Sequence, residues 1–455
     1  MHLIALLLAV SYPSVAIEGV PHVLQKPDFC GEACAEMFLR KLGRPVSQDQ
    51  VFALTGVDPG LGRGAYTQEL DRALRKLGFE TGPVWLAVDP TQAAEQVERQ
   101  WGALHADLSR GIPSIVCMHY ADEPKTTEHF RLVLGYDAAS DEVLYHEPAE
   151  PHGAYRRMKR QLFTRLWTFK PRPDRWTLIR FRLEPRAAID PPTPPGLSPA
   201  EAAQHVLAAK EQLPPGFTPA LVGPCLVLGD EAPDRVRARA ARVRWTVDLL
   251  KKDFFAKEPE QMTDVWVFRN RHSYESHVHA MLGEMPSTPY GFYVESRRAL
   301  LMNIAPGDGT LVHELVHPFM HANFPRCPTW LNEGLASLYE RPGEEDGHIR
   351  GYPNWRLPDL QVAISKRELM PLSRMMGLSE AAFYADDDGT HYAQARYLCY
   401  FLQEKGLLPA FFAQLVKDQD RDPTGLATLR SVLHIDDMNA FERQWRGFVM
   451  DLRYR

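Results

Sequence analysis

The sequence is short of three things. It has only 6 cysteines in 455 residues, too few for a scaffold built from disulfides, so each thiol is read singly. It has no basic surplus: 52 Lys and Arg stand against 58 Asp and Glu, a net charge of −6, which argues against a surface built to coat nucleic acid. It also has no apolar run of the ~18–20 residues needed to span a bilayer. What is present is ordinary globular composition, 45% hydrophobic and 24% charged. At ~150 residues per domain, the length gives two or three domains.

The first sixteen residues, MHLIALLLAVSYPSVA, hold an unbroken apolar run from Leu3 to Val10. Ser14-Val15-Ala16 then offers a small-x-small cleavage pattern. That layout predicts a secretory signal peptide over 1–16, a mature chain from Ile17, and a periplasmic or secreted location. Prolines at 185, 191, 192, 194, 195 and 199 mark a linker over 185–199, because proline cannot donate to a helix or sheet. Ser198-Pro199-Ala200-Glu201 is a capping box that opens the next helix. The expected domains are therefore 17–184 and 200–455.

The N-terminal half begins with helical spacing over Gly31–Leu42 and ends in short apolar or alternating runs at Pro113–Met118, His129–Asp137 and Glu142–Glu147. Helices first and strands later make an α+β layout. In the second half, Cys225–Leu228, Val265–Phe268 and Gly291–Ile304 read as strands. Val236, Ala240, Val243, Val247 and Leu250 mark a helix, and most of the chain after Thr310 reads as helix. The arginines of the Val236 helix read as a solvated face.

His313-Glu314-Leu315-Val316-His317 carries two imidazoles four residues apart. On a helix both reach one metal ion, and Glu314 stands where it takes a proton from metal-bound water. Thirteen residues on, Trp330-Leu331-Asn332-Glu333-Gly334-Leu335-Ala336 supplies Glu333 as a third ligand. Two His, one Glu and an open position form a catalytic rather than a structural zinc set. Pro318 directly after His317 predicts a kink or an early helix end, and His321 stands nearby as a competing ligand.

The pair of motifs resembles the gluzincin, thermolysin-like zinc metallopeptidases. The resemblance implies one catalytic Zn2+ held by His313, His317 and Glu333, with Glu314 as base. It also implies that Tyr290–Ile304 is the cleft-lining edge strand and that Tyr392 in His391-Tyr392-Ala393-Gln394 donates to the oxyanion.

The N-terminal half holds a second constellation. Cys30 starts the Gly31 helix, where unpaired N–H groups favour a thiolate. Gln25 precedes it, placed to donate to an oxyanion. His129 opens a later strand, and Glu147 follows on the next. His105, His119 and His146 are rival bases. Gln25, Cys30-Gly31-Glu32-Ala33-Cys34, His129 and Glu147-Pro148 resemble the papain-like, bacteriocin-processing cysteine peptidases. There the roles are oxyanion donor, nucleophile, base and orienting acid.

The implied activity is exported peptide-bond hydrolysis on a peptide or protein substrate, without nucleic acid or a stable membrane span. The alternative is an envelope peptide-binding or scaffold protein with degenerate peptidase domains.

Overall fold

The computed structural model describes residues 11–191, 196–385 and 389–454. It divides between Glu211 and Gln212 into two compact units, each α+β.

In the N-terminal unit the helices Cys30–Lys41, Gln48–Thr55 and Thr67–Lys76 come first. Their limits are written locally. Ser47 and Gln50 form a capping box, and Gly43 and Gly78 take positive φ after the first and third helices. An antiparallel sheet follows. Its strands run in the order Trp85–Val88, Arg175–Arg182, Ser114–His119, Glu128–Asp137, Glu142–His146 and Arg156–Lys159. Gly31 lets the first helix sit tight on this sheet, since a Cβ there would stand 2.7 Å from Leu70 Cδ2 and 3.1 Å from Phe130 Cδ2.

Two segments outside the expected N-terminal domain pack onto it. The segment before Ile17 is part of the fold as far as it is described. Val15–Ala16 pairs with Gly135 and Tyr136, Tyr12 packs edge-on to Trp101, and Pro13 O accepts from the His105 ring at 2.8 Å. Removal at Ala16 would strip these contacts. Residues 1–10 of the expected signal lie outside the described residues.

The first part of the proline-rich stretch, 185–191, is likewise fastened, while residues 192–195 of the expected linker lie outside the described residues. Arg186 and Ala187 donate to Gly78 O, and Arg44 holds both Ile189 O and Asp190. Helix Pro199–Gln212, which the capping box predicts, buries Ala200, Ala203 and Val206. Gln204 donates to Pro27 O and Lys210 to Leu61 O. Proline removes its own donor, but its neighbours keep theirs, so the unit extends to Glu211 instead of stopping at 184.

The C-terminal unit is built on a five-stranded sheet, ordered Thr218–Val222, Cys225–Gly229, Thr263–Phe268, Ala299–Asn303, Gly291–Val294. The two inner pairings are parallel and the two outer ones antiparallel. Cys225–Gly229 is buried along its whole length, as a parallel strand covered on both faces requires. The expected Tyr290–Ile304 strand is a hairpin instead. Glu295–Arg297 forms a 3-10 turn, and Arg298 takes φ +48, so only Gly291–Val294 lies at the edge.

Helix Gly309–Asn323 carries the HELVH motif and continues through Pro318, so the expected early end does not occur. Val316, Phe319 and Met320 on its core face are all buried, and their burial outweighs one lost backbone bond. Helix Thr329–Leu338 lies beside helix Thr390–Glu404 at very short range. A Cβ on Gly334 would stand 2.9 Å from Ala395 O.

Candidate functional sites

In the C-terminal unit two adjoining helices bring the predicted ligands together. Ligand atoms of His313, His317 and Glu333 all lie within 4.8 Å of one another. His313 Nε2 stands 3.3 Å from Glu333 Oε2, close to the ~3.3 Å edge of a tetrahedron whose ligands sit ~2.0–2.1 Å from the ion. The buried Glu333 Oε2 makes no hydrogen bond, an orphan that a cation satisfies. His317 Nδ1 donates to Asn332 Oδ1 at 3.1 Å, which leaves Nε2 as its donor atom. His313 Nδ1 faces Glu340 Oε1 at 3.4 Å, an ion-pair contact outside hydrogen-bond geometry. Both rings therefore turn Nε2 toward Glu333, and the residues present fit a divalent ion.

The electrostatics agree. Burial disfavours a charged His313, yet the nearby Glu333 and Glu340 carboxylates hold its pKa well above the imidazole range. Burial raises the two carboxyls in turn. The His313 and Arg356 contacts outweigh it, and both sit well below their usual range. This is a pocket built around positive charge. Burial pushes the Glu314 carboxyl up, against the pull of the His313 and His317 rings beside it.

Beyond the motif, Glu340 is gripped by Arg356 through Nη2 at 2.7 Å and Nε at 2.9 Å, and by Asn354 Nδ2 at 2.7 Å. Tyr384 donates to Glu333 Oε1 at 2.6 Å. Sequence spacing missed all three partners. Tyr392 lies against Phe383 and Tyr384, with Arg356 over its ring. Burial first, then the Glu333 charge, raises its pKa, and among the described residues it makes no hydrogen bond to His313, His317 or Glu333. His321 is exposed and takes no part.

In the N-terminal unit, antiparallel pairing sets Leu132 opposite His146, which brings His129 and Arg131 alongside Glu147. The His129 ring bonds Glu147 Oε1, and Arg131 Nε donates to Oε2 at 2.6 Å. These partners hold the Glu147 carboxyl below its usual range against the opposing effect of burial. The rivals drop out as partners of that carboxylate. His105 bonds Pro13 O, and His146 spends both nitrogens, on Val20 O and the Tyr155 N–H. His119 packs on Phe169 with Nδ1 buried and unbonded.

Cys30 sits at the helix start and touches the Phe130 backbone, one residue from His129. The helix N-terminus that favours a thiolate is opposed here by burial. Burial, with the Glu32 and Asp28 carboxylates adding to it, pushes the thiol up to about 12, and this exceeds what a helix N-terminus gives back. Gln25 is tied by its backbone N–H to Pro148 O at 2.8 Å, and its side-chain oxygen is buried without a partner.

Residues 17–170 match the Peptidase_C39 like family. The match covers Gln25, Cys30, His129 and Glu147, and the N-terminal unit is thus cysteine-peptidase-like. Among solved structures the chain is similar to the peptidase domain of Streptococcus ComA, a bifunctional ABC transporter involved in a quorum sensing pathway. Identity is 15%, coverage 36% of this chain and 100% of that one, and the TM-score 0.24. No curated protein matches the chain. Among the described residues no helix is long and apolar enough to cross a membrane.

Proposed function

We propose that the C-terminal unit is a zinc-dependent peptidase of gluzincin type and that the N-terminal unit supplies a cysteine peptidase-like domain acting on peptide. The observation that carries the first part is the meeting of His313, His317 and Glu333 within 4.8 Å. Zinc held there supplies Lewis acidity and an acidified water at neutral pH. The chain's own residues do the rest. Glu314, with Oε2 3.9 Å from His317 Nε2, takes the proton from water and passes it to the leaving amine. The outer edge of Gly291–Val294 gives backbone groups to an extended peptide, and Tyr392 donates to the developing oxyanion. In Glu314→Gln, zinc content should match wild type while kcat falls by ~10²-fold or more. An unchanged turnover would contradict the assignment.

For the N-terminal unit, full catalysis would have Cys30 attack the carbonyl, with His129 as base, Glu147 orienting the ring and Gln25 donating to the oxyanion. A second reading, a domain that binds peptide without cutting it, is favoured by one observation. The Cys30 thiol is held at about 12, while the His129 ring is bonded to Glu147.

A further inference from the structure

The two oxygens of Glu333 are treated differently. Oε2 faces His313 Nε2 at 3.3 Å and is buried without a hydrogen bond. Oε1 accepts the Tyr384 hydroxyl at 2.6 Å. Tyr384 ends the short helix Glu380–Tyr384, well away in sequence from both motifs, and its ring packs against Phe383 and Tyr392. Asn332 orients His317, and Glu340 faces the far nitrogen of His313. Among the described residues Tyr384 is the hydrogen-bond partner of the third donor.

We propose that Tyr384 is a positioning residue of the metal cage, its hydroxyl holding the outer oxygen of Glu333 so that the carboxylate offers Oε2 alone to the ion. The proposal rests on the reading of His313, His317 and Glu333 as zinc ligands. A carboxylate turns readily about its terminal torsion, where the preference is broad and two-fold. Left free, it presents either oxygen or both. A second oxygen on the ion would take the position that a catalytic site leaves open for water. A short hydroxyl-to-carboxylate bond of this kind is charge-assisted and directional. It fixes the torsion from outside the cage.

The test uses the full chain, loaded with Zn2+ for affinity and with Co2+ for its visible d–d spectrum. Tyr384→Phe keeps the ring contacts and removes only the hydroxyl. Zinc affinity, measured by competition with a chromogenic chelator, should fall ~10–100-fold. The Co2+ band should weaken as the freed carboxylate raises the coordination number. Tyr392→Phe, whose hydroxyl holds no ligand, should change neither readout. If wild type binds one zinc and Tyr384→Phe matches it in affinity and Co2+ spectrum, the role assigned to Tyr384 is wrong and the zinc reading survives. Equal weakening in both tyrosine variants would also overturn the role. A wild-type chain that takes up no zinc would remove the reading beneath it.

Discussion

Glu32 illustrates how a single side chain can be both necessary to a loop and costly. It is fully buried one turn into the Cys30 helix, where Oε1 accepts the Ala65 N–H at 2.7 Å and Oε2 has no partner. Burial pushes its pKa up to about 8. A carboxyl raised in this way stabilises the fold least when ionised. Its contribution is complete below the ordinary value of 4.5, and is lost as pH rises through about 8. Glu32→Gln keeps the acceptor without the charge. Its thermal midpoint should exceed wild type at pH 8.5 and converge with it near pH 4, the gap growing by at most ~1.4 kcal/mol per pH unit. Equal midpoints at pH 8.5 would contradict this.

At the same scale, the meeting of His313, His317 and Glu333 was legible because they lie four and sixteen residues apart on two helices that neighbour in sequence. Tyr384, Glu340 and Arg356 were not, because tertiary packing alone brings them to the cage. Tyr392 was singled out and Tyr384 was not, although Tyr384 makes the hydrogen bond. At Cys30 the helix dipole was legible, but the burial of the helix start that pushes the thiol up was not.

At the scale of elements, the strands and capped helices were the readable part, since turn glycines and capping boxes act within a few residues. Helix Ala93–Ser109 carries Trp101, Leu104 and Leu108 at helical spacing and buries all three. Helix Gly309–Asn323 passing through Pro318 shows packing overriding a local rule. The pairing of helix Thr329–Leu338 with Thr390–Glu404 depends on Gly334. Replacing a helical glycine with alanine normally gains ~1 kcal/mol. Here the new Cβ would meet Ala395 O at 2.9 Å and Cys399 Sγ at 3.0 Å, and backbone cannot swing aside. Gly334→Ala should therefore lower stability by ~1–3 kcal/mol in urea unfolding and weaken zinc binding with it. A stabilised variant would mean that the helices part freely.

At the scale of the molecule, the division into two α+β units was visible in the proline cluster, but its position was not. Backbone donors beside the prolines tie that stretch down, and the apolar face of Pro199–Gln212 carries the unit on to Glu211. Val15–Ala16 joins the sheet for a similar reason, because Tyr12 just before it packs among Trp101, His105 and Tyr136, which the small-x-small pattern does not reveal. The central claim is that the second unit is a metal site built for hydrolysis. Elemental analysis of the dialysed full chain tests it most directly. The account predicts about one zinc per chain in wild type and a large loss in His313→Ala. A folded wild-type protein that takes up no zinc when zinc is offered would contradict it.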